Sequence, residues 1–283
     1  MPCCRAYNNM DGWTGFLQLA VRQKLGRTVA AEVYNRGALK VSPPVYLGDP
    51  HQPCFYLMNP GGGYVSGDRY RIEIQVGEQA QMLLTTQSST KIYKMVASPA
   101  FQETTIVLEK DSYLEYMPDP IIAYQNAQYR QHTLIRMKRG SALLYSDIVT
   151  PGWSIDGSLF RYNGLQLKTI VYFEEELVVL DHLQLRPDAH EVRGLGLLEG
   201  YTHFGSMLVV GEKATSDFIE LVSDRLDTYS GCCRIGVSAL VLPGFTVRVL
   251  ASSTQQIEAV FETCQRFVRE HWFGKNPISF RKY

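Results

Sequence analysis

The feature that most constrains this fold is a long succession of strand-length segments with no room for helices between them. Six such segments follow one another between residues 104 and 185, separated by turn signals such as Arg139-Gly140 and Asn163-Gly164. The turn signals recur about every 10 to 15 residues, which is too short a spacing for parallel strands joined by crossover helices. The six segments are 104–109, 113–118, 132–138, 142–149, 165–173 and 176–185. The sequence therefore predicts a body of stacked β-strands.

Helical patterns occur only near the C-terminus. Apolar residues recur at helical spacing after Ser216 and stop at Gly231. A second helix is predicted from the capping box of Ser253 and Gln256, and its apolar stripe ends at Gly274. We therefore expect an all-β fold, with stacked β-sheets in a helical or solenoid-like arrangement and about two α-helices near the C-terminus. No fixed-period repeat is visible, so the sequence alone does not establish a regular solenoid.

Length and charge favour a single domain without a charged partner surface. A chain of 283 residues can fold as one all-β unit, so we expect one domain over 1–283, with a β body at 13–211 and a smaller helix-containing part at 212–283. The 28 basic and 28 acidic residues cancel, which gives no global field for nucleic acid or anionic membrane. Neither a signal sequence nor a stretch of membrane-spanning length is visible, so we expect a cytoplasmic protein.

The six cysteines give no metal or disulfide signature. They are Cys3-Cys4, Cys54, Cys232-Cys233 and Cys264. Adjacent cysteines have poor disulfide geometry, there is no CxxC motif, and a cytoplasmic location keeps thiols reduced. The six histidines also lack the spacing of a metal site. We expect small thiols without a bound metal.

The stretch NPGGGYVSGD at 59–68 requires backbone conformations or close approaches that side chains would prevent. Gly62 and Gly67 have the spacing of a P-loop, but Asp68-Arg69 replaces the lysine and hydroxyl that contact phosphate and magnesium. A dinucleotide fingerprint also fails, because a strand and not a helix is predicted to follow. Two interpretations remain: a tight backbone crossing within the stacked sheets, or an interaction loop.

The stretch LLTTQSSTKIYK at 83–94 carries several hydroxyl groups and allows an enzymatic alternative. A hydrolase or transferase could use the hydroxyls of the 85–90 segment, namely those of Thr85, Thr86, Ser88, Ser89 and Thr90. However, there is no GxSxG motif, and a catalytic elbow should join a strand to a helix, which is not predicted here. A base within hydrogen-bond reach of one of these hydroxyls would favour this alternative.

Three carboxylates lie in or beside apolar strands. Asp147 lies in ALLYSDIVT, Asp181 lies in LVVLDHL, and Asp68 ends the glycine stretch. A carboxylate that points into the protein is costly unless it is paired, hydrated or bound to a cation. Three of them on one sheet stack could line a polar passage, although strand alternation could equally direct each one to solvent. Oxygen ligands hold a late transition metal weakly, which suits transit better than storage.

The chain resembles the urease accessory proteins of the UreD family, called UreH in some bacteria. The resemblance is carried by three motifs in the same order, at 59–68, 83–94 and 114–131, and more faintly by GKNPISFRKY at the end. The matching motif positions are Gly61, Gly62, Gly67, Thr85, Thr86, Lys91, Tyr93, Glu115 and Pro118. Many members carry Gly-Arg and Gly-Glu where this chain has Gly152-Trp153 and Asp156-Gly157, which puts a role of that arginine or glutamate in doubt here.

This resemblance implies a noncatalytic scaffold in a hetero-oligomeric complex. Such a scaffold joins UreF and the GTPase UreG, docks on the apo-urease subunits, and assists nickel delivery without a tightly bound cofactor. A passage through the scaffold would carry the nickel ion, and Asp68, Asp147 and Asp181 are the candidate carboxylates that line it. Weak, successive oxygen ligands would let an ion leave as well as enter. The basic, aromatic tail at 275–283 is a further predicted partner contact.

Overall fold

The computed structural model describes residues 12–280, and the body of the molecule is a β-solenoid. The strands are β1 (Gly15–Lys24), β2 (Arg27–Gly37), β3 (Lys40–Val41), β4 (Val45–Tyr46), β5 (Pro53–Met58), β6 (Arg69–Val76), β7 (Gln81–Thr86), β8 (Thr90–Ile92), β9 (Ala100–Leu108), β10 (Tyr113–Tyr116), β11 (Ile121–Ala123), β12 (Gln128–Met137), β13 (Ala142–Val149), β14 (Gly164–Phe173), β15 (Glu176–Leu185), β16 (His203–Val210), β17 (Arg234–Ala239) and β18 (Gly244–Ala251). The helices are α1 (Ser216–Leu226) and α2 (Thr254–Phe273), with a 3-10 turn at Asp227–Tyr229.

The strands form two facing sheets. The seven-stranded sheet has the order β15-β14-β12-β9-β6-β1-β2, and the longer sheet has the order β17-β18-β16-β13-β10-β7-β5-β3 with β4, β8 and β11 beside it. In the central coils the chain passes from one sheet to the other and returns, so neighbouring strands such as β6 and β9 are parallel without any helix between them. Antiparallel pairs occur at the ends of the sheets, as in β1 with β2 and β14 with β15. This confirms the predicted solenoid-like, all-β fold.

The coils differ in length, which explains why no repeat is visible in the sequence. Arg69 pairs with Phe101, Phe101 pairs with Arg130, and Arg130 pairs with Gln166 across three successive parallel ladders. These positions are separated by 32, 29 and 36 residues along the chain. A fixed-period search therefore has no constant period to detect.

The strand β13 has its two faces in different environments, and this places the site. Leu143, Tyr145 and Val149 belong to the core between the two sheets. Leu144 and Ile148 belong to a second core, which lies between the longer sheet and the helices. Because side chains alternate along a strand, Asp147 shares the inward face with Tyr145.

The two predicted helices are present, and the second begins as expected. The Ser253 hydroxyl accepts the Gln256 N–H, and the Gln256 side chain accepts the Ser253 N–H at 3.1 Å, which completes the capping box. The helix α2 ends at Gly274 with φ of 60°. No helix among residues 12–280 has the length and apolar character needed to cross a membrane.

Two sequence expectations concern the C-terminal part and the cysteines. The strands β17 and β18 hydrogen-bond into the same sheet as β16. The expected boundary between the β body at 13–211 and the helix-containing part at 212–283 stays a prediction. Cys232 and Cys233 are free thiols whose sulfur atoms lie 3.6 Å apart, and the side chains of Cys54 and Cys264 are buried. The pair Cys3-Cys4 lies outside the described residues.

Candidate functional site

The glycine stretch is a tight turn between β5 and β6 that packs against the second motif. Gly62 has φ of 78° and Gly67 has φ of 81°, both in the left-handed region. A Cβ atom on Gly63 would lie 2.6 Å from the Tyr93 ring and 2.7 Å from the Lys91 carbonyl oxygen. The strand β6 follows the turn, as predicted, and no helix N-terminus is present there for a phosphate. The glycines therefore permit close contact between the 59–68 and 83–94 motifs.

Hydrogen bonds among the polar groups of residues 59–70 stabilise this turn. The Gly61 N–H donates to the Asn59 side chain at 3.0 Å. The Asp68 carboxylate accepts the Val65 N–H at 2.8 Å and the Tyr70 hydroxyl at 2.9 Å. Burial, with a further contribution from Asp68, raises the pKa of Tyr70, so this hydroxyl remains a donor. Asp68 is buried and holds the turn together.

The hydroxyl segment joins the second motif to the third. The Thr85 hydroxyl donates to the Met117 carbonyl oxygen at 2.5 Å. The Thr86 hydroxyl donates to the Asp119 carboxylate at 3.1 Å and accepts the Asp119 N–H at 2.8 Å. Asp119 is a base within hydrogen-bond reach, but the reciprocal bond ties both groups into the junction between the motifs. The enzymatic alternative stays untested.

Two cavities between the facing sheets share Asp147 in their linings. The narrow cavity, of about 60 Å³, is lined by residues of all three motifs, among them Gly62, Gly63, Lys91 and Pro118. The wide cavity, of about 300 Å³, lies among β13 to β18 at the end of the two sheets. Tyr145 and Asp147 line both cavities. The inward face of β13 therefore forms the boundary between the two spaces.

Asp147 is a buried carboxylate whose hydrogen-bond donors within residues 12–280 are neutral. The Tyr145 hydroxyl donates to it at 2.6 Å, and the Gln131 amide donates at 3.0 Å. Burial raises the pKa of Asp147 to about 6, although both hydrogen bonds act in the opposite direction; the charge of Asp181 raises it further. Asp147 therefore titrates close to neutral pH and keeps an uncompensated charge when ionised.

The surroundings of Asp147 are polar but uncharged. The Tyr129 hydroxyl donates to Gln131 at 3.0 Å, and Gln131 also donates to Tyr145 at 3.2 Å. Thr133 lies 3.3 Å from the Tyr145 hydroxyl. Burial, and then the charge of Asp147, raise the pKa of Tyr145, so its hydroxyl keeps its proton and donates. The space between the sheets thus presents phenol, amide and hydroxyl oxygens beside one carboxylate.

Asp181 lies at the mouth of the wide cavity. Its carboxylate pairs with the Arg248 guanidinium at 2.7 Å and accepts a longer hydrogen bond from Ser206 at 3.4 Å. The Asp181 side chain is 31% exposed, whereas Asp147 is 8% exposed. The structure therefore brings Asp147 and Asp181 to one cavity, while Asp68 lies outside the lining of both cavities. A role of these three residues in ion passage stays a prediction.

A further buried carboxylate, Glu115 of the third motif, lies in a network that the sequence did not reveal. Glu115 forms an ion pair with Arg269 of α2, and both side chains are at most 1% exposed. Gln265 donates to Glu115 at 2.5 Å, and Gln52 donates to it at 3.2 Å. Lys275 donates to Gln52 at 2.9 Å, which ties the segment after α2 to the first coil.

Lys275 begins the tail that was predicted to contact a partner, but its own side chain is largely enclosed. It is 14% exposed and pairs with Asp49 at 2.8 Å. Burial lowers the pKa of Lys275, although Asp49 opposes this effect. This lysine therefore holds the tail to the body of the protein, and residues 281–283 lie outside the described residues.

Residues 152–157, where this chain departs from the family pattern, form a local turn. The Asp156 carboxylate accepts hydrogen bonds from the Ser154 hydroxyl at 2.7 Å and from the Ser158 N–H at 3.1 Å. Trp153 is 52% exposed, and its ring centroid lies 5.0 Å from that of Tyr124. The consequence of Trp153 for function stays a prediction.

Within residues 12–280, no group of three or more His, Cys, Asp or Glu side chains could hold a metal ion. One carboxylate among neutral oxygens binds a transition metal weakly compared with a set of imidazole or thiolate ligands. The expectation that a cation passes this site stays a prediction.

The fold and the site define a β-solenoid protein with a mainly apolar core, in which one buried carboxylate without a charged partner among the described residues lines two cavities. The chain matches the family described as UreD urease accessory protein over residues 14–282. It is 45% identical to the urease accessory protein UreD of Lachnoclostridium phytofermentans over 274 residues, which are 97% of this chain and 100% of that protein. It is 41% identical to UreD of Bacillus sp. strain TB-90 over 270 residues, 95% of this chain and 99% of that one. The chain belongs to the UreD urease accessory protein family, which confirms the resemblance seen in its motifs.

Proposed function

We propose that this protein is a noncatalytic cytoplasmic scaffold that binds UreF, UreG and apo-urease, and that nickel ions pass through its solenoid on the way to urease. The observation that carries the passage is the presence of Asp147 in the linings of both cavities. The membership of the chain in a urease accessory family supports the role in urease maturation.

The chemistry of Asp147 suits transit of a divalent cation. Its pKa of about 6 leaves it mainly ionised at neutral pH, so its charge can attract a cation towards the neutral oxygens beside it. Tyr145 and Gln131 supply the neighbouring oxygens. Conduction requires binding that is weak enough for release, and an oxygen set with a single carboxylate meets that requirement. Asp181 would offer the next carboxylate at the mouth of the wide cavity.

The substitution Asp147→Asn tests the passage, because it removes the charge and keeps the shape. The variant is co-expressed with urease subunits and the other accessory proteins at limiting nickel. We expect urease activity and the nickel content of purified urease to fall about tenfold, since each 1.4 kcal/mol of lost cation stabilisation is a factor of ten. Co-purification of UreF, UreG and apo-urease is measured in the same cells and is expected to be unchanged.

The control is Asp188→Asn, which removes an exposed carboxylate away from both cavities. Full urease activation by the Asp147→Asn variant, with the complex intact, would show that no nickel passes this residue. The triple change of Asp68, Asp147 and Asp181 to Ala extends the test to all three carboxylates. Loss of the complex in that variant would assign these residues a structural role instead.

A further inference from the structure

We propose that Arg248 is an electrostatic gate at the mouth of the wide cavity, which holds cations from bulk solvent out of the solenoid. This inference rests on the proposed passage and adds a residue that controls entry to it. Arg248 belongs to β18 in the longer sheet, and its partner Asp181 belongs to β15 in the seven-stranded sheet. Their ion pair therefore joins the two sheets across the mouth of the cavity.

The position of Arg248 is distinctive among the described residues that line the wide cavity. It is the sole Lys, Arg or His side chain in that lining, while Asp181 and Asp147 are its carboxylates. A guanidinium remains protonated at every physiological pH, so its charge is permanent. At the mouth, Arg248 and Asp181 cancel, and a cation approaching from solvent meets no net attraction from the pair.

The ion pair is well placed to open. The Arg248 side chain is 55% exposed, and an exposed ion pair of this kind is weak because water and salt screen it. Movement of the long arginine side chain into solvent would uncover the Asp181 carboxylate, with Ser206 beside it. The mouth would then carry one negative charge, and the cavity behind it a second one at Asp147.

A purely structural role makes a different prediction. If Arg248 only tied the two sheets together, its removal would loosen the mouth and lower thermal stability without giving tighter cation binding. If Arg248 is a gate, its neutralisation increases cation binding, and the increase depends on Asp181. The sign of the change in binding therefore separates the two roles.

The experiment measures binding of Ni²⁺ alone to the purified full chain, by equilibrium dialysis at low ionic strength. We expect Arg248→Gln to bind Ni²⁺ about tenfold more tightly than the wild type, since a full unit charge near the ion is removed. Arg248→Lys keeps the charge and should bind as the wild type does. The double variant Arg248→Gln with Asp181→Asn should return to the wild-type affinity, and the gain should shrink at about 0.5 M salt.

The matched control is Arg234→Gln on the neighbouring strand β17, which removes an exposed arginine that pairs with Glu199 away from the cavity lining. No change is expected for this variant. A folded Arg248→Gln protein with wild-type Ni²⁺ affinity would overturn the proposal, as would an equal gain in Arg248→Lys.

If Arg248→Gln does not fold, Asp181→Asn alone provides the test. It leaves the Arg248 charge without its carboxylate and should weaken Ni²⁺ binding, and unchanged binding would contradict the gate. These measurements contain no urease, so they are independent of the Asp147→Asn activation assay. Failure of the gate and failure of the passage are thereby distinguished.

Discussion

Two buried carboxylates lie on neighbouring strands of the same sheet, yet their surroundings differ in one decisive respect. Glu115 on β10 and Asp147 on β13 face opposite sides, because Glu115 pairs in register with the outward-facing Leu144. Glu115 lies beneath α2 and is neutralised by Arg269. Asp147 faces the cavities and receives only neutral hydrogen bonds from described residues. The comparison indicates that the compensated carboxylate serves stability, whereas the uncompensated one is the residue proposed to attract a cation.

The largest effect on the free energy of unfolding is expected for Glu115, the carboxylate that pairs with Arg269. Glu115→Ala leaves the Arg269 charge buried without a partner, which should lower the free energy of unfolding by about 3–5 kcal/mol. Chemical denaturation with urea, followed by circular dichroism, measures this loss. At pH 7 Asp147→Asn should not destabilise the protein in this way, because it removes an uncompensated charge.

In the control for this prediction, both members of the ion pair are replaced together. The double variant Glu115→Leu with Arg269→Met should recover much of the lost stability, since an apolar pair leaves no buried charge. A loss below about 1 kcal/mol in Glu115→Ala would remove the distinction between the two carboxylates.

The next effect is the pH dependence of stability contributed by Asp147. Its pKa is about 6 in the folded protein and 3.8 without the fold, so the folded state binds more protons between these values. Stability therefore falls as the pH rises from about 4 to about 6 and is constant outside that window. The difference should reach about 3 kcal/mol relative to Asp147→Asn, which lacks this titration.

Urea titrations of the wild type and of Asp147→Asn at several pH values measure this difference. The comparison with the variant cancels the titration of other groups. Parallel curves for the two proteins between pH 4 and 6 would show that Asp147 is not held in an unfavourable ionised state. The proposal that the Asp147 charge attracts a cation would then be unsupported.

The smallest effect is expected from Tyr145→Phe, which removes one of the two donors to Asp147. The pKa of Asp147 should rise further above its usual range, because the hydroxyl stabilises the ionised form. At pH 7 the lost hydrogen bond should cost about 1 kcal/mol of stability. Carbon NMR of the Asp147 carboxyl follows the pKa directly.

Tyr116→Phe is the matched control, since its ring lies 5.6 Å from that of Tyr145 while both donors to Asp147 stay in place. It should leave the hydrogen bonds of Asp147 unchanged. An equal pKa change in both variants would attribute the effect to general polarity and not to the Tyr145 hydroxyl.

Local patterns predicted much of the secondary structure, but not how the strands associate. The strands β13 and β15 begin and end where their apolar patterns predict, and α2 has the predicted capping box. The strand β16 was not predicted, because it is buried along most of its length and shows no clear alternation. The parallel pairing of the strands could not be predicted either, because it joins residues about 30 positions apart through coils of unequal length.

The site was predictable only in its parts. Strand alternation left the direction of Asp147 open, and packing against the facing sheet decides it. The Glu115–Arg269 pair joins residues 154 positions apart, which no local pattern reveals. One signal was present: Gln265 and Arg269 lie four residues apart, so they share a face of α2, and both are buried. Polar residues within an apolar helical stripe indicate a buried partner elsewhere in the chain.

The attachment of the tail to the first coil has a consequence for the order in which the molecule is made. Arg269 is synthesised 154 residues after Glu115, and Lys275 is synthesised 223 residues after Gln52. Domains generally fold as units. The Glu115 carboxylate therefore lacks its guanidinium partner until Arg269 has been synthesised, and the first coil is joined to the segment after α2 only once Lys275 has followed.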